Sequence, residues 1–133
     1  MTVIAWTFAL LAAAPYLLAF VWEALLFRRP SVHQGIFFVP AADVAAVQLW
    51  AFGVGFYNLF LACGAIAGVI AWGAGDETVG RALVIDTCLV MFLGGVVLVV
   101  ADRMELGRPR GKGLGGALAA GGPALIALIA AAW

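Results

Sequence analysis

The side chains that could do chemistry inside the long apolar stretches of this 133-residue chain are Tyr16, Glu23, Tyr57, Asn58 and Asp86. Polar and ionisable groups at membrane depth are costly, so each is a functional candidate. Glu23 lies four residues before the end of the first stretch, and Asp86 about as far inside the opposite end of the third. Each should be about 6 Å deep, with roughly 15–20 Å between them along the membrane normal. They are therefore not a carboxylate dyad, and each is a catalytic candidate only as a separate proton donor or base. Against this, Glu23 also reads as a carboxylate snorkelling near Arg28 or Arg29, and Asp86 as an early-turn acid favoured by the helix dipole. Tyr16 and Asn58 fall near the midplane, roughly 15–18 Å deep. An amide there needs partners, and Tyr16, Tyr57 or a carbonyl freed near Pro15 are the expected ones. The functional alternative is a ligand-binding point formed by Tyr16, Glu23, Tyr57 and Asn58, with Tyr57-Asn58 facing the bundle interior. His33, the one histidine, reads as an exposed loop residue. No metal-ligand cluster, HExxH, nucleophile elbow or phosphate loop is present, so no metal or cofactor is implied.

What positions these groups is a set of four apolar stretches, approximately Val3–Phe27, Val47–Trp72, Ala82–Ala101 and Leu114–Trp133. Each has the roughly 20 residues a helix needs to cross a hydrocarbon layer of about 30 Å. The five tryptophans, Trp6, Trp22, Trp50, Trp72 and Trp133, fall near the ends of these stretches, where indole prefers the headgroup boundary. Hydrophobic residues make up 66% of the chain and charged residues 11%. That is too apolar for a small soluble domain to hide. The expectation is an all-α, integral membrane four-helix bundle in contact with the lipid bilayer, with residues 1–133 forming one domain. Zero net charge offers no field to attract nucleic acid. Cys63 and Cys88 lie inside spans and read as small buried hydrophobes. The first stretch lacks a basic leader and runs on past Pro15, so it reads as a retained helix.

Six of the seven basic residues fall in the first and third loops: Arg28, Arg29, Arg103, Arg108, Arg110 and Lys112. The positive-inside rule makes that side cytoplasmic and both termini external. The second loop, Gly73–Arg81, reads as a tight hairpin turn, and the third, Asp102–Gly113, as a charged turn. In the longer first loop, Pro40-Ala41-Ala42-Asp43 resembles a helix start. The segment before it is open to three readings: an interfacial strip, a lid over the bundle, or an extension of the second helix. Gly64-x-x-x-Gly68, Gly53, Gly55, Gly94-Gly95, Gly115-Gly116 and Gly121-Gly122 supply surfaces for close helix approach. Pro123 should bend or locally unwind the fourth helix.

Three ordered segments carry a family resemblance: Glu23-Ala24-Leu25-Leu26-Phe27, Gly55-Phe56-Tyr57-Asn58-Leu59-Phe60-Leu61-Ala62-Cys63-Gly64 and Gly121-Gly122-Pro123-Ala124-Leu125. The chain resembles, over essentially its whole length, the small bacterial four-span family catalogued as domain of unknown function 1304. That resemblance implies a four-helix membrane fold and supplies no activity or catalytic residues. The chain departs from the family pattern at Pro15-Tyr16, Gly53-Val54 and Ala120, where the family carries polar groups. Such losses favour a binding or structural role over catalysis.

Three functions are compatible with these residues. One is binding of a lipid-like or other apolar small molecule within the bundle. The second is an accessory role, packing on a membrane-protein partner or forming a homo-oligomer through glycine-rich helices. The third is an intramembrane isomerase or cyclase acting on an isoprenoid- or steroid-like substrate, with an acidic proton donor. The expected location is the inner (cytoplasmic) membrane of a bacterium, as a multi-pass protein.

Overall fold

A computed structural model describes all 133 residues. Helix α1 (Thr2–Phe20) continues without interruption into a π-helical turn, Val21–Leu25. After it come a one-turn helix α2 (Pro30–His33), a 3-10 turn at Ala41–Asp43, and the long helices α3 (Val44–Gly73), α4 (Glu77–Arg103) and α5 (Leu114–Ala132). The four long helical segments are each apolar enough and long enough to span a bilayer. They pack in a ring, α1 on α3, α3 on α4, α4 on α5 and α5 back on α1. Short connections between successive long helices make neighbours antiparallel.

Small residues build the seams, because helices in lipid associate through close backbone approach. Ala5, Ala9 and Ala12 of α1 and Ala124, Ala127 and Ala131 of α5 are buried at helical spacing. The Gly64/Gly68 pair is used inside the chain. A Cβ on Gly64 would meet Thr87, and one on Gly68 would lie 2.9 Å from the backbone nitrogen of Val84. Gly80 lies against Trp72 and Gly95 against Gly121, again with no space for a methyl group. The turn between α3 and α4 uses Gly75 at φ 102°, and Asp76 caps α4 by accepting the Val79 N–H at 3.1 Å.

Several local expectations are corrected. Pro123 leaves α5 helical from Leu114 to Ala132, so of the two expected effects, bending or local unwinding, the unwinding does not occur. Trp72, at the end of its span, is buried against Gly80 and makes an edge-on contact with Trp6, centroids 6.2 Å apart. Cys88 is buried but Cys63 is exposed, because position 63 falls on the outer face of α3. His33 is buried, only 3% exposed. Its Nδ1 lies 2.8 Å from the Val39 carbonyl, and the Val39 N–H donates to the His33 carbonyl at 2.6 Å. These contacts fold the first loop into a closed turn against Phe27, whose ring lies 5.9 Å from that of Phe37.

Candidate functional site

Glu23 and Asn58 are joined. The Asn58 Nδ2 donates to Glu23 Oε2 at 2.7 Å, and both residues are half-buried. The sequence places both in one ligand-binding set, but depth counted from helix ends sets them at different levels. The error has a physical source: α3 continues 14 residues beyond Asn58 toward the basic end, about 21 Å at 1.5 Å per residue. The helical part of the first span ends two residues after Glu23. The first loop then packs alongside the lower part of α3, where the Arg28 Nε donates to Gln48 Oε1 at 3.2 Å.

Two local features bring the carboxyl to the amide. The π-helical turn, closed by Leu26 N–H donating to the Val21 carbonyl at 3.0 Å, holds Glu23 at its centre. Such widened turns recur at functional sites because they re-aim a side chain without ending the helix. Gly55 permits the approach: a Cβ there would lie 3.0 Å from both the nitrogen and the Cβ of Ala24, and 3.2 Å from the Glu23 Cβ. Gly55 precedes Asn58 by three positions and so shares its helix face.

Tyr16 stands two turns of α1 from Glu23 and serves a different partner. Its hydroxyl donates to the Met91 carbonyl at 3.0 Å, and Gly94 leaves room for it, since a Cβ there would come within 3.4 Å of the oxygen. Tyr16 therefore crosses the bundle from α1 to α4 and does not reach Asn58. Tyr57 is 69% exposed, correcting the expectation that it faces the interior. It is one position from Asn58 and thus about 100° around the helix. Asp86 is exposed on α4 and makes no side-chain hydrogen bond or ion pair. It lies on another helix from Glu23, as the spacing implied.

The exposure of Tyr57 follows a pattern. Residues 50, 57 and 64 form one row along α3 at heptad spacing, and 54, 61 and 68 the next. The upper members, Gly64 and Gly68, clamp onto α4. The lower members open outward: Trp50 is 73% and Val54 44% exposed. The matching row on α4 runs from buried Val84 and Met91 to Leu98, which is 46% exposed. Toward the basic end, then, these rows of α3 and α4 are exposed instead of clamped. Val54 lies one turn from Asn58 on α3.

The mouth of the basic end is bridged by loops. The Arg108 guanidinium carbon stands 5.7 Å from the Phe38 ring centroid, and Phe38 adopts φ 59°, a left-handed conformation rare for a bulky side chain. Of the three readings of the first loop, the structure combines two. Residues from Ala41 begin the α3 helix, while Phe38 lies across toward the third loop. That loop is organised by Asp102, a buried residue not singled out from the sequence. Its carboxylate accepts the Gly111 N–H at 2.8 Å and the Gly113 N–H at 2.7 Å.

A family model described as protein of unknown function (DUF1304) matches residues 10–132. The chain belongs to that family. The match spans all four long helices, so Glu23, Gly55 and Asn58 all lie within the matched region. No curated protein and no solved structure matches the chain.

Proposed function

We propose that this protein binds a lipid-like or other apolar small molecule through the lateral gap between α3 and α4, with the Glu23–Asn58 pair as its polar anchor. The observation that carries this reading is the change along the helix rows, from clamped Gly64 and Gly68 to exposed Tyr57, Val54 and Trp50. A gap of that kind is open to acyl or polycyclic chains from the bilayer, and a hydrogen-bonding pair at its inner edge fixes orientation. Tyr16 forms the limit of the site, since its hydroxyl is committed to Met91. The location in keeping with this reading is a bacterial cytoplasmic membrane, with the basic end inside.

Native mass spectrometry of the protein released from its membrane tests the proposal. A retained apolar adduct is expected, and Leu98→Trp, which fills the gap from the α4 side, should remove it without lowering thermal stability. A wild-type protein that carries no adduct and takes up no added lipid would end this reading.

A second reading, an accessory subunit, has one observation in its favour. Gly115, Gly116 and Gly122 of α5 have no atom within 4 Å of the position a Cβ would take. Substituting Gly115 and Gly122 by leucine should dissociate a partner that packs there, and leave ligand uptake through the gap unchanged.

A further inference from the structure

We propose that the ligand of the Glu23–Asn58 site is a hydrophobic amine, bound as its ammonium; this rests on the binding function proposed above. The chain has seven acidic and seven basic residues, yet none of the basic ones neutralises Glu23. The ion pairs are Arg81 with Glu77 at 3.7 Å and Arg110 with Glu105 at 3.8 Å. Arg28, five positions from Glu23, donates to Gln48, and both Arg28 and Arg29 are exposed. A carboxylate withdrawn from water without a cation is strongly unfavourable, and a ligand carrying the missing charge relieves it.

The hydrogen-bonding inventory points the same way. Asn58 spends an amide N–H on Glu23 Oε2, and no other side chain donates to the pair. The second carboxylate oxygen and the Asn58 side-chain carbonyl accept no other hydrogen bond, which leaves two acceptors. An ammonium offers several donors and a full charge to such an edge, whereas a hydroxyl offers one donor and no charge. The surroundings suit the rest of an amphiphilic cation. Phe20, three residues before Glu23, and Phe56, two before Asn58, pack edge to face at 5.2 Å, and Tyr57 and Trp50 are exposed on α3. Aromatic faces favour a cation and an apolar body together.

The experiment compares dodecylamine with 1-dodecanol, which share a chain and differ in the head. Binding to the full chain in lipid nanodiscs is followed by native mass spectrometry. The amine should bind at least about tenfold more tightly than the alcohol. Glu23→Gln, which preserves shape and one acceptor, should abolish that preference. Glu23→Asp should keep a reduced preference, and this distinguishes lost charge from lost fold. Equal binding of the two probes to wild type would overturn the ligand class and leave the gap as a binding site. Amine preference that survives Glu23→Gln would also overturn it, because the cation would then be held elsewhere. Binding of neither probe to wild type would overturn both this inference and the function beneath it.

Discussion

The Tyr16 hydroxyl donates to the Met91 carbonyl across the bundle, from α1 to α4, at 3.0 Å. Beyond this link, toward the termini, the interior is filled by buried alanines together with Val84 and Cys88. On its other side lie Glu23 and Asn58. Tyr16→Phe removes the bond and keeps the ring, so it should cost about 0.6–1.7 kcal/mol of stability, the range of hydrogen bonds between membrane helices. Thermal unfolding in mild detergent measures it. An unchanged midpoint would show that the hydroxyl is not a structural tie.

Asn58→Leu should cost about 1–3 kcal/mol, because it leaves the half-buried Glu23 without its hydrogen-bond donor. The double variant Asn58→Leu, Glu23→Leu should recover part of that loss, since two apolar groups leave nothing unpaired. A double-mutant cycle in detergent reads the coupling. Strict additivity would mean that the 2.7 Å contact carries no energy.

Gly55→Ala puts a methyl group 3.0 Å from the Ala24 backbone. The π-helical turn must shift by a few tenths of an ångström, and overpacking of this kind costs about 1–3 kcal/mol. Loss of Glu23-dependent binding should accompany the lower stability. Alanine at Gly53, where nothing lies within 4 Å, should have no such effect and serves as the control.

How much of this was legible from the residues differs between fold and site. Four helices follow from stretches such as Leu114–Trp133, because only a helix satisfies its own backbone in hydrocarbon. Glu23 and Asn58 stood out as polar groups among apolar ones, but their pairing did not, because it depends on the π-helical turn and on a first loop that packs back along α3. Tyr57 was misplaced for a related reason: α3 is apolar around most of its circumference, so no contrast marks which side meets protein and which meets lipid. Gly55 had a readable signal, its i, i+3 spacing to Asn58, hidden among 17 glycines. Burial of His33 and Asp102 left no trace in composition, since both are held by backbone groups of their own loops.

Asp102→Ala should loosen the third loop by leaving the Gly111 and Gly113 N–H groups without their acceptor, a loss of about 1–3 kcal/mol. Trypsin should then cut more rapidly after Arg110 and Lys112. Unchanged cleavage rates would mean the loop holds its shape without the carboxylate.

Orientation is tested with Asp76→Cys and Arg110→Cys in a background where Cys63 and Cys88 are alanine. A membrane-impermeant maleimide applied to intact cells should label position 76 and spare position 110. The opposite pattern would reverse the orientation.

Entry of a ligand between α3 and α4, as proposed above, would also fix the units in which affinity has meaning. With Arg108 of the third loop drawn to Phe38 of the first, such a ligand would arrive sideways from the bilayer. Occupancy is then governed by its mole fraction among the lipids, and its aqueous concentration matters only through partitioning. Diluting the sample with buffer would leave the site as full as before, whereas adding empty vesicles would drain it.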